Sequence, residues 1–169
     1  MDKERLLHNA ELIWFIVMIC LVVGYFSWQV SIILSGKNVS YRYGLPLFSG
    51  LPKFAQNEVI EFEHDPPSNL TEVINGTLIV NMTIYQYYFK PDLIVAKPGQ
   101  PVVIILNSPN ATAGFYLRLP SGVINVNVVP GIPSYIYFVA PNQPGNYTWY
   151  EPEYIGWGFS YMNGTLEVV

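Results

Sequence analysis

The chain closes on YTWYEPEYIGWGFSYMNGTLEVV, Tyr147–Val169, and the reading of this stretch decides the fold. Tyr147–Tyr150 and Thr165–Val169 have the aromatic and β-branched composition of strands. Between them lies a loop punctuated by Gly156 and Gly158, with Met162 just before the second strand. Two strands joined in this way imply a small β-domain whose last hairpin carries a long, shaped loop.

The preceding hundred or so residues agree. From Leu70 onward turn signals recur roughly every eight to twelve residues, the spacing of a sandwich or barrel. Thr77–Tyr85 has strand composition, Phe89-Lys90-Pro91 interrupts it, and Leu93–Ala96 resumes before Pro98-Gly99. Val102–Leu106 is an unbroken apolar run, which predicts a strand buried on both faces. Phe115–Leu119, Val123–Val129 and Tyr135–Val139 complete roughly eight predicted strands, enough for one sandwich core.

Composition limits what such a domain can do. Half the 169 residues are apolar and 12% are charged, about half the charge of an ordinary soluble domain. The net charge of −4 and the lack of a basic cluster exclude nucleic acid as a partner. A single cysteine, Cys20, excludes an internal disulfide, and the two histidines are His8 and His64. Zinc and copper sites need converging His and Cys ligands, so an isolated copper carrier is excluded by ligand count.

Leu12–Leu34 runs without a charge for 23 residues. It is long enough to cross the roughly 30 Å hydrocarbon layer and too long for a cleaved signal sequence. Seven Asn-x-Ser/Thr triplets, at Asn38, Asn69, Asn75, Asn81, Asn110, Asn146 and Asn163, all follow this helix, and all six threonines complete one. Chance predicts about one such triplet at this composition. The expected arrangement is a single-pass protein of the cell membrane, with a cytoplasmic N-terminus (residues 1–11), a transmembrane helix (12–34), an extracellular connector (35–69) and a β-domain (70–169). The connector, rich in proline and aromatics, is expected to be ordered, with a short strand at Val59–Phe62 and no helix. Glu58, Glu61, Glu63 and Asp65 within it read as an acidic, solvated run.

Four segments in order carry a resemblance: FKPDLIVAKPGQPVVIILNS (Phe89–Ser108), AGFYL (Ala113–Leu117), VNVVPG (Val126–Gly131) and PGNYTWY (Pro144–Tyr150). Together they resemble subunit II of the haem–copper terminal oxidases, which implies an all-β, cupredoxin-like Greek-key fold behind one N-terminal transmembrane helix. In copper-carrying members a His precedes Gly-Phe, and the last loop supplies two Cys, a backbone carbonyl, His and Met. Those places fall here on Ala113, Glu151, Glu153, Ile155 and Phe159, with Met162 alone retained. Tyr154, Gly156, Gly158 and Gly164 keep the family pattern. The resemblance therefore implies a subunit that has lost its dinuclear copper centre, the type found in quinol oxidases of thermoacidophilic archaea.

From that resemblance follow further expectations. The chain would bind no cofactor and contribute no catalytic residue. It would cap the catalytic subunit I, which holds haem and copper and meets the membrane quinol. Glu11, three residues before Trp14, would stand at the mouth of a proton-uptake channel. Ile155, Trp157 and Phe159 would fill the former metal site with apolar packing, while Glu151 and Glu153 would point together into solvent. Few carboxylates would also suit an acidic exterior. The rival expectation is a glycosylated, membrane-anchored surface or pilin-like β-protein with no redox role.

Overall fold

The structure, a computed structural model, describes residues 3–34, 46–68 and 70–169. They fall into two compact units, the N-terminal helix and everything from residue 46 onward. Helix α1 (Lys3–Leu34) is continuous over 32 residues. Its Asn9–Ser31 stretch of 23 residues is long and apolar enough to cross a membrane, rising about 35 Å at 1.5 Å per residue. The large side chains along it, among them Trp14, Val22 and Phe26, are exposed.

The second unit is a two-sheet sandwich of ten strands. Strands β1 (Thr71–Ile74), β2 (Thr77–Tyr85), β3 (Tyr88–Lys90), β5 (Pro101–Asn107) and β8 (Ser134–Val139) form one sheet. Its order is β1-β2-β5-β8, with β3 also paired to β2. The other sheet runs β4-β10-β9-β6-β7, from β4 (Leu93–Ala96), β6 (Ala113–Leu119), β7 (Gly122–Val128), β9 (Gly145–Tyr150) and β10 (Asn163–Val168). The pairs β2–β5 and β4–β10 are parallel among otherwise antiparallel neighbours, because the chain crosses between sheets instead of meandering within one.

Alternation along each strand sends one set of side chains into the space between the sheets. Phe89, Phe115 and Trp149 meet there, with ring centroids 5.8–6.4 Å apart. Such contacts between offset or edge-on rings add to the burial of the rings themselves. Trp149 is fully buried, and its indole occupies the space a side chain at Gly164 would need. Glycine at 164 is thus a matter of room.

Strand β5 is buried on both faces, as its unbroken apolar run predicts. Val102, Ile104 and Leu106 enter the inter-sheet core. Val103 and Ile105 face the other way, against Leu51, Ala55, Val59 and Phe62. These last residues correct the sequence reading. The connector holds helix α2 (Lys53–His64), with no strand at Val59–Phe62. Leu51, Ala55, Val59 and Phe62 recur at helical spacing and bury one stripe on the sheet. Winding also divides the acidic run, since Glu58 is carried to the buried side while Glu61, Glu63 and Asp65 stay exposed. Glu63 Oε1 accepts a hydrogen bond from the Tyr135 hydroxyl at 3.3 Å.

Candidate functional site

One end of the sandwich brings together the start of β6, the end of β9 and the loop leading to β10. Ala113 opens β6 and pairs with Val128. It is buried and offers only a methyl group. Next to it the Gly114 N–H donates to Glu151 Oε1 at 2.6 Å, and the Glu153 N–H donates to the same oxygen at 2.9 Å. The Glu151 N–H in turn donates to the Met162 carbonyl at 3.4 Å. One carboxyl oxygen thus ties the first strand of the site to the loop that follows the second.

Close packing requires glycine at 114: an added Cβ would lie 2.6 Å from Pro152 Cγ and 3.0 Å from Glu151 Oε1. Glu151 is only 3% exposed, and its Oε2 is buried without a hydrogen-bond partner among the described residues. Burial pushes its carboxyl up to about 7; the N–H groups of Glu153 and Gly114 pull it down, and the Glu153 charge adds to the rise. Desolvation wins because it opposes the charged form of a group with only one bonded oxygen.

This geometry corrects the expectation that Glu151 and Glu153 point together into solvent: Glu153 is exposed and Glu151 is not. Residues two apart on an extended segment share a side, but here Glu151 turns in to meet the N–H groups of Gly114 and Glu153. The expected apolar filling also holds only in part. Ile155 packs against the core, and Phe159 is half-buried, edge-on to Tyr154 with centroids 5.2 Å apart. Trp157 instead is 86% exposed.

The loop glycines lie against Tyr87, which the sequence reading did not single out. Tyr87 sits in the β2–β3 turn with φ +81°. A Cβ at Gly156 would come 2.8 Å from its hydroxyl, and one at Gly158 would come 2.8 Å from its ring. The neighbouring Gln86 amide donates to the Ile155 carbonyl at 3.1 Å. The two loop glycines are therefore the bed on which a tyrosine from the other sheet rests, and no local sequence signal announces that contact.

A dinuclear copper centre needs several soft or imidazole donors converging on two ions. The positions brought together offer a methyl group at Ala113, hydrocarbon at Ile155 and Phe159, and a carboxyl at Glu151 already engaged by two backbone N–H groups. Met162, buried in the core, supplies one thioether. The residues present do not fit the copper centre. Among the described residues no three His, Cys, Asp or Glu side chains cluster elsewhere either.

No family model matches the chain. A curated relative does: quinol oxidase subunit 2 of Sulfolobus acidocaldarius is 56% identical over 163 residues, covering 95% of this chain and 96% of that one. This chain belongs to the quinol oxidase subunit 2 family. The chain also shares its fold with a chain of a heme-copper terminal oxidase dimer solved by cryo-electron microscopy. That match has a TM-score of 0.62 at 18% identity and covers 95% of this chain and 99% of the other. The periplasmic domain of cytochrome oxidase subunit II from Bradyrhizobium japonicum is similar over 58% of this chain and 88% of its own, at 15% identity and a TM-score of 0.48. The cupredoxin-like fold behind one apolar helix stands as expected, and the family sets aside the surface-protein and pilin-like reading of this chain.

Glu11 is exposed on α1, and Trp14, three residues on, shares its helix face. Of the seven Asn acceptors, Asn38 and Asn69 lie outside the described residues. Asn75, Asn110, Asn146 and Asn163 are exposed, and Asn81 is half-buried.

Proposed function

We propose that this chain is the structural, copper-free subunit II of a membrane quinol:oxygen oxidoreductase. It caps the outer face of the catalytic subunit I, to which haem, copper and the oxygen chemistry belong. The observation that carries the reading is the engaged carboxyl of Glu151. From one place where a copper-bearing relative would put a metal ligand, it binds the N–H groups of Glu153, at another such place, and of Gly114, next to the Ala113 place. A soluble one-electron donor needs a relay on the exterior, whereas quinol delivers electrons from within the bilayer. A frame kept without its donors fits the second kind of donor.

In this reading α1 anchors the chain with the N-terminus in the cytoplasm, and the β-domain lies outside, where the Asn-x-Thr acceptors can be modified. Residues 1–11 are cytoplasmic, 12–34 span the bilayer, and 35–69, with α2, join the span to the domain at 70–169. Tyr154, Trp157 and Tyr161 are each more than three-quarters exposed at the loop end, a density of free aromatics typical of a surface that a protein partner covers. Glu11 serves proton uptake into subunit I, since a carboxylate at a membrane boundary is a natural proton acceptor.

Oxygen consumption by the purified complex tests the electron donor. A reduced quinol should support turnover, while a reduced soluble cytochrome should support none above background. Comparable turnover with the soluble donor would overturn the reading.

A further inference from the structure

The two outer faces of the sandwich are finished differently. On the β1-β2-β5-β8 sheet, α2 lies over Ile79, Val103 and Ile105. On the other sheet, β9 and β10 send Trp149, Leu166 and Val168 inward, so Asn146 and Thr148 of β9 and Asn163 and Thr165 of β10 lie on the outer face. The register pairs Thr148 with Thr165 directly. Two acceptor triplets, Asn146-Tyr-Thr148 and Asn163-Gly-Thr165, therefore lie side by side on adjacent strands.

A pleated strand suits this motif, because residues two apart share a face. Each asparagine and its threonine are thus presented together, and both asparagines are exposed. Among the described residues the Asn163 amide donates only to the Tyr161 carbonyl, at 3.1 Å in an exposed setting where water can replace it. The third strand-borne triplet, Asn81-Met-Thr83 on β2, has the same local geometry and a different environment. Asn81 and Thr83 are half-buried. The Asn81 Oδ1 accepts from the Asn107 amide on the neighbouring strand at 3.0 Å, and the Asn81 backbone N–H donates to Leu70.

We propose that Asn146 and Asn163 carry N-linked glycans which cover the outer face of the β4-β10-β9-β6-β7 sheet, and that Asn81 carries none. The occupant of this face is sugar borne by the chain itself, so the face is turned to solvent and not to another subunit. With only 12% charged residues, such a face has few charges to keep it solvated, and oligosaccharide supplies that polarity.

The inference rests on the exterior placement of the β-domain proposed above. Glycopeptide mass spectrometry would be run on the full-length protein from its native membranes, or from an N-glycosylating thermoacidophilic archaeal host. N146Q and N163Q should each remove one glycan mass from the intact subunit, the double variant two, and N81Q none. T148V and T165V, which destroy the triplets while keeping strand-favouring side chains, should repeat the losses and guard against a folding defect in the glutamine variants. In parallel, a membrane-impermeant amine reagent applied to intact cells reports on Lys90 and Lys97. If the lysines are labelled while the Asn146 and Asn163 peptides are unmodified, the glycan inference is overturned and the orientation stands. Lysines protected in intact cells and labelled only after lysis would overturn both. A glycan on Asn81 would overturn the distinction between the faces.

Discussion

Replacing Glu151 by Gln removes a titrating group while keeping an oxygen that can accept from Gly114 and Glu153. In the folded protein burial raises this carboxyl from 4.5 to about 7, so between those values the folded state holds a proton that the unfolded state releases. Stability from this group is therefore complete below pH 4.5 and is lost as pH rises through about 7. The interval from 4.5 to about 7 corresponds to about 3 kcal/mol. Screening at the exposed side of the loop, where Glu153 lies, reduces the working figure to about 1–2 kcal/mol. Glutamine does not titrate. Thermal melts of the full chain in detergent, followed by tryptophan fluorescence at pH 4 and pH 8, should show E151Q gaining about 1–2 kcal/mol relative to the parent as pH rises. That gain corresponds to a relative shift of roughly 5 °C in Tm. At pH 4 the two proteins should melt within a few degrees of each other. Parallel pH profiles for parent and variant would refute the buried, proton-holding carboxyl.

Three further outcomes follow from particular contacts. Gly164→Ala drives a methyl group into the Trp149 indole and should lower stability by about 1–3 kcal/mol in chemical denaturation, the usual cost of overpacking. Trp157→Ala, at an 86% exposed position, should leave the melt unchanged within about 0.5 kcal/mol but reduce the fraction of the chain that co-purifies with its partner subunit. Glu11→Gln should leave assembly intact and slow proton uptake in single-turnover pH-indicator measurements; unchanged uptake and pumping would remove Glu11 from the proton path.

The β-domain was legible because alternation, turn spacing and glycine placement are local properties. The run Val102–Leu106 even announced a strand covered on both faces. What covers its second face escapes the sequence: the α2 stripe of Ala55, Val59 and Phe62, which Leu51 just before the helix extends, is interleaved with acids that read as one solvated run. The run needed a cover, and the cover was the nearest upstream segment with helical spacing. At the site, the loss of ligands at Ala113, Glu151, Ile155 and Phe159 could be read residue by residue. The inward turn of Glu151 could not, because it depends on two backbone N–H groups, one of them 37 residues away on β6. Tyr87 escaped for the same reason, since its place against Gly156 and Gly158 arises only when the two sheets stack.

The central claim, a structural subunit of a quinol-oxidising complex, is tested most directly by purification. Full-length protein extracted from membranes in mild detergent would be followed by its haem absorbance and by oxygen uptake with reduced quinol. The account predicts that this chain co-elutes with a polytopic, haem-containing subunit and with the quinol-dependent activity. Elution as a haem-free assembly or filament, with the activity in other fractions, would contradict it.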